Sequence, residues 1–146
     1  MKLAVVYWSG TGNTQAMAEA MVEGAQAAGA ETEIFSVDAF GVDKMKDYQG
    51  FLFGCPAMGC EVLEESEFEP FFTEAEAHLN GIPVGLFGSY GWGSGEWLQD
   101  WQERSKKAGA KVYKDGLMIN NTPDDDGLAQ CREFAQGFVN DSRINP

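Results

Sequence analysis

Residues 9–14 read Ser-Gly-Thr-Gly-Asn-Thr, two glycines among four hydroxyl or amide side chains, with no charge. The apolar run Leu3 to Trp8 precedes them and an alanine-rich stretch follows. A loop between a strand and a helix N-terminus presents unpaired backbone N–H groups and the positive end of the helix dipole, which suits a phosphate. Gly10 and Gly12 let the backbone approach closely, and Ser9, Thr11, Asn13 and Thr14 can donate from their side chains. What is missing narrows the guest. A nucleotide triphosphatase loop needs GxxxxGK[ST], yet no lysine lies between Lys2 and Lys44. A dinucleotide site needs GxGxxG, and Gln15 stands where the third glycine belongs. A low-molecular-weight phosphatase needs a cysteine nucleophile followed by an arginine, which no strand-to-helix loop of this chain supplies. The remaining candidate is a terminal phosphate monoester, held by neutral donors and not cleaved. The plain alternative is a glycine-rich turn with a hydroxyl cap.

Two further loops carry unusual residues. Residues 55–61, Cys-Pro-Ala-Met-Gly-Cys-Glu, include Met58, whose polarizable thioether packs well against an aromatic ring. Residues 88–95, Gly-Ser-Tyr-Gly-Trp-Gly-Ser-Gly, set Tyr90 and Trp92 among small residues. Glycines there suit a tightly turned, exposed backbone on which a tryptophan can present a flat apolar face. A planar ring between Met58 and Trp92 is the expectation; the alternative is that both cover a sheet edge.

The elements that must position these loops alternate along the chain. Leu3 to Trp8 reads as a buried strand, and Met17, Ala20, Met21, Gly24 and Ala28 then recur at helical spacing up to Gly29. Further strands are expected over 31–37, 50–55, 82–88 and 111–119, the last broken near Asp115 and Gly116. Helices fit 69–79, 96–108 and 125–139, and 39–47 reads as a loop with a short or poor helix. Strands separated by crossover helices imply a parallel sheet covered on both faces, with ligands beyond the carboxyl ends of its strands. All three special loops fall at that edge.

Composition sets the outer limits. The 146 residues suit one domain, 1–146, with 44% hydrophobic and 23% charged residues and no run near the ~20 apolar residues of a membrane span. Leu3 to Trp8 is too short for a signal sequence, so it reads as mature structure in a cytoplasmic protein. Cys55, Cys60 and Cys131 form no CxxC and His78 has no evident companion, so reduced thiols are expected and neither a metal site nor a disulfide. A net charge of -13 argues against nucleic acid or an anionic membrane as partner. Between Lys46 and Arg104 there is no lysine or arginine, while Asp47, Glu61, Glu64, Glu65, Glu67, Glu69, Glu74, Glu76, Glu96, Asp100 and Glu103 are acidic, which predicts a negative face.

At these residues the chain resembles the short-chain flavodoxins, one-domain FMN-binding electron carriers. Residues 9–14, 54–71 and 86–97 carry the resemblance together, and it extends from Lys2 to about Asn140. It implies an α/β, flavodoxin-like three-layer sandwich, a five-stranded parallel sheet in the order 2-1-3-4-5 with helices on both faces. It further implies that Ser9, Gly10, Thr11, Gly12, Asn13 and Thr14 hold the FMN phosphate. Pro56, Ala57, Met58, Gly59, Cys60 and Glu61 would form the loop beside the reactive N5 and the pyrimidine ring, with Glu61 accepting from N3. Ser89, Tyr90, Gly91, Trp92 and Gly93 would form the second ring loop, Trp92 stacking, with Asn120 and Asn121 near that edge. Cys60 stands where the family varies, beside a peptide expected to flip at reduced N5, and Gly59 tolerates the positive φ of such a flip.

The implied function is one-electron transfer at low potential, FMN cycling mainly between semiquinone and hydroquinone. A monomer without substrate turnover would serve redox proteins bearing basic patches, recognised through the acidic face. An acid about 10 Å from the ring costs an anionic flavin roughly 0.4 kcal/mol before salt, and several together about 1 to 2 kcal/mol, so charge lowers the potential without setting it alone. A flavin-dependent reductase would need a nicotinamide site, and none is apparent. A response-regulator-like module would need an acidic cluster after the first strand, where residues 9–14 stand instead.

Overall fold

The computed structural model describes residues 1–59 and 61–142. Strand β1 (Lys2–Tyr7) buries Leu3, Ala4, Val5 and Val6 completely, as a run without polar alternation requires of a strand covered on both faces. Leu3 and Val5 pack into one core layer with Met17, Met21, Cys131 and Phe138, and Ala4 and Val6 into another with Phe51, Phe53, Phe72 and Trp101. Helices α1 (Asn13–Ala27) and α4 (Asp125–Asn140) supply the first layer, α2 (Phe68–Ala75) and α3 (Glu96–Lys107) the second.

The remaining strands are β2 (Glu31–Ser36), β3 (Gly50–Gly54), β4 (Pro83–Tyr90), β5 (Lys111–Val112) and β6 (Leu117–Asn120). All pairings are parallel, and the order is β2-β1-β3-β4-β5, as expected, with β6 also pairing β4. No helix among the described residues is long and apolar enough to cross a membrane.

Several bounds differ from those read from sequence. The fifth strand divides in two at the expected break, because Lys114 turns to a φ of 47° and the half-buried backbone beyond it is gathered by the buried Gln102. The Gln102 amide accepts from Gly116 N–H at 2.8 Å and donates to Asp115 at 3.3 Å. Strand β4 runs two residues further than expected, carrying Ser89 and Tyr90 to the edge of the sheet in register with β6. Helix α2 ends at Ala75 and tightens into a 3-10 turn over Glu76–His78. Residues Val37–Ala39 and Val42–Asp47 also form 3-10 turns, so the crossover from β2 to β3 has no α-helix.

Candidate functional site

A cavity of about 270 Å³ lies at the carboxyl ends of β1, β3 and β4. The first loop lines it with Gly10, Thr11 and Asn13, the second with Pro56, Ala57 and Met58, and the end of β4 with Ser89, Tyr90 and Gly91. Trp8 and Asn121 complete the wall. Three loops distant in sequence are thus brought to one place. Their backbones are tied together: Trp8 N–H donates to Gly54 O at 3.0 Å, Ala57 N–H to Ser89 O at 3.1 Å and Asn121 N–H to Tyr90 O at 2.7 Å.

At the first loop, Gly12 stands at the N-cap of α1 with a φ of 94°, a conformation costly for a residue with a Cβ. No side chain caps this helix end and no acidic residue occupies its first turn, so its N–H groups and dipole remain available to an anion. Ser9 Oγ accepts from Gly12 N–H at 3.0 Å and sets the turn. Thr14 is 1% exposed and sits behind the cavity wall.

At the second loop, Met58 and Val62 exchange both backbone hydrogen bonds, at 2.9 and 3.0 Å, and close a tight hairpin. Its tip includes Gly59 at a φ of 50° and Glu61 at 54°, and Cys60 lies outside the described residues. The Glu61 side chain reaches α3, where one carboxylate oxygen accepts from Gly95 and Glu96 N–H. Gly93 lies beneath it: a Cβ there would stand 2.6 Å from Glu61 Cδ.

The third loop separates its aromatics. Tyr90 is half-buried and packs on Trp97, ring centroids 6.0 Å apart, while Trp97 is buried and donates its indole N–H to Cys55 O at 3.1 Å. Trp92 is 66% exposed, a free apolar face at the rim, and does not line the cavity.

Sequence reasoning passed over Trp8. Counted as the last residue of an apolar strand, it is half-buried, lines the cavity and donates its indole N–H to Glu67 at 3.1 Å, tying the end of β1 to the start of α2. Its position directly before Ser9 was the available signal, because a residue at a strand's carboxyl end faces the ligand edge.

The acidic residues divide by role. Glu64 is buried, and its carboxylate accepts from the N–H groups of Ser66 at 2.6 Å, Glu67 at 2.9 Å and Phe68 at 2.9 Å, capping α2. Burial pushes its pKa up, but the donors from Phe68, Glu67 and Ser66 outweigh that and hold it below the ordinary value. Glu69 and Glu76 are held by Arg104, whose side chain also lies over the Phe72 ring, 4.9 Å from its centroid. Glu65, Glu74, Glu96, Asp100 and Glu103 are exposed. Burial drives the Cys55 thiol far above its ordinary pKa and Cys131 up to about 12, so neither supplies a thiolate nucleophile near neutral pH.

FMN joins a phosphate monoester to a planar ring through a sugar-alcohol chain, and the residues present fit it. An uncapped helix end with neutral donors faces one part of the cavity, and Trp8, Ala57, Met58 and Tyr90 give the rest apolar walls. The family model for flavodoxin matches residues 5–134. The flavodoxin of Megasphaera elsdenii is 46% identical over 132 residues, covering 90% of this chain and 94% of that one. That of Clostridium beijerinckii is 42% identical over 138 residues, covering 94% and 99%. The solved structure of a flavodoxin from the Archaea, 28% identical, superposes with a TM-score of 0.89 over the whole of both chains. The chain therefore belongs to the flavodoxin family, electron carriers whose cofactor is FMN.

Proposed function

We propose that this chain, working as one domain over residues 1–146 in the cytoplasm, is a low-potential one-electron carrier without substrate turnover of its own. Bound non-covalently, FMN would supply the redox chemistry, cycling mainly between its semiquinone and hydroquinone. The observation that carries the reading is the chemistry of the cavity wall. Among its eleven described residues there is no carboxylate, lysine, arginine, histidine or cysteine, so the wall can hold and orient a cofactor but offers no acid–base pair for a substrate.

The chain's own residues divide the work. Gly10, Thr11, Gly12 and Asn13, with the first amides of α1, would take the phosphate. Met58 and Tyr90 would flank the ring, with Trp92 closing over it from the rim. Glu61, with one oxygen on α3, has its other oxygen for the ring N3–H. The exposed Glu96, Asp100 and Glu103 on α3 support docking of a monomer to redox proteins with basic patches.

Absorption spectra during stepwise anaerobic reduction test this. A flavin band, with a blue neutral semiquinone accumulating midway, is expected, and NADPH alone should leave the flavin oxidised. A protein that takes up no FMN on reconstitution overturns the carrier reading, and rapid reduction by NADPH replaces it with a reductase.

A further inference from the structure

Thr14 and Ser89 lie 75 positions apart in the chain, one in the first turn of α1 and the other near the end of β4. Their hydroxyl oxygens are 2.9 Å apart, and Ser89 N–H donates to Thr14 Oγ1 at 3.3 Å. Both are buried, Thr14 at 1% exposure and Ser89 at 6%. Two hydroxyls bring two protons to this pair. One proton is spent on the contact between them, and the other must leave it. Ser89 lines the cavity beside Gly10, Thr11 and Asn13, whereas Thr14 stands behind the wall. With Thr14 as the donor between them, the Ser89 proton is left for the cavity.

We propose that Ser89 belongs to the phosphate end of the site, held there by Thr14 as a positioning residue. This rests on the FMN reading above and reverses the assignment drawn from sequence, in which Ser89 served the ring and Thr14 touched the phosphate. The strongest acceptor such a proton can find at this edge is an anion at the uncapped end of α1, since hydrogen bonds to charged acceptors are about twice as strong as neutral ones. The pair also makes the first loop and the end of β4 a single polar unit.

Titration of the apo-protein with FMN, with riboflavin, which has the same ring and no phosphate, and with inorganic phosphate separates the two roles. Ser89→Ala and Thr14→Val are expected to weaken FMN and phosphate binding about ten- to hundredfold, the range for losing a hydrogen bond to a charged group. Riboflavin affinity should stay within about twofold, because its ring contacts are untouched. Thr14→Ser, which keeps the hydroxyl, should restore FMN affinity to within about threefold. Denaturant unfolding of each apo variant shows that it is folded; if Thr14→Val is not, Ser89→Ala decides alone. Equal losses for FMN and riboflavin overturn the proposal and return Ser89 to the ring, leaving the carrier reading intact. Unchanged FMN binding in Ser89→Ala overturns it as well. A wild-type protein that binds neither flavin overturns both readings.

Discussion

The Glu61 carboxylate and the Gly95 amide meet at 2.9 Å, and the same oxygen reaches Glu96 N–H at 3.1 Å. The hairpin after β3 is thereby fastened to the first amides of α3, a helix whose N-terminus no other side chain among the described residues caps. A carboxylate there gains from both the hydrogen bonds and the helix dipole. Glu61→Ala is expected to destabilise the apo-protein by about 1–2 kcal/mol, and Glu61→Gln, which keeps an acceptor oxygen, by about half as much. Urea unfolding of the apo variants measures both, and a Glu61→Ala midpoint equal to wild type removes the fastening role.

Glu64 makes stability depend on pH. A carboxyl whose folded pKa lies below its unfolded value, here 4.5, contributes stability that is present above that value. The contribution is lost as pH falls through the lower folded value. Glu64→Gln should therefore cost about 2 kcal/mol at neutral pH, with backbone donors of Ser66, Glu67 and Phe68 left under-satisfied, and progressively less in acid. Unfolding curves for both proteins between about pH 7 and 2.5 should converge at the acid end. Parallel curves throughout contradict the assignment.

Two tryptophans five positions apart should behave oppositely. Trp97 is buried, and Trp97→Ala should cost about 3–5 kcal/mol or prevent folding. Trp92 is mostly exposed, so Trp92→Ala should leave apo-protein stability within about 0.5 kcal/mol while weakening FMN binding about tenfold through the lost stacking face. Apo unfolding together with FMN titration reads both; unaltered FMN affinity in Trp92→Ala shows that the rim tryptophan does not cover the ring.

The proposed docking face is narrower than the acid count suggests, because Glu64 is spent on a helix cap and Glu69 and Glu76 on Arg104. Asp100 and Glu103 are exposed on α3, with Glu103 3.9 Å from the Lys106 ammonium. Asp100→Lys with Glu103→Lys should slow association with a basic redox partner about three- to tenfold at low salt, with the difference vanishing near 0.5 M salt. Stopped-flow rates across ionic strength give the comparison. Equal rates at low salt place docking elsewhere.

How far the sequence was legible follows from the range of each interaction. The uncapped turn at residues 9–14 could be read because its glycines, its hydroxyls and the apolar strand before it are neighbours, and a strand-to-helix junction is a local pattern. The break in the fifth strand was visible in Asp115 and Gly116, but the amide that holds it comes from Gln102 on another element. The Thr14–Ser89 pair and the Trp8–Glu67 bond had no local trace, since only the folded sheet brings these residues together. The acids posed the reverse difficulty: charge counts are plain in a sequence, yet whether Glu64 faces water or three backbone donors is decided by burial.

The crossover from β2 to β3 has its own consequence. Its 3-10 turns make few backbone bonds, and Phe40, with Phe35, Tyr48, Phe51 and Phe71 around it at ring separations of 5.0 to 6.3 Å, acts as a peg that keeps the segment seated. With Val37 and Met45 buried in the same core, the segment is seated by side chains rather than by helical backbone bonds, and such a segment can open and reseat as a small unit while the sheet stays closed. Local opening there would leave the cavity wall untouched, because the crossover lends it no side chain.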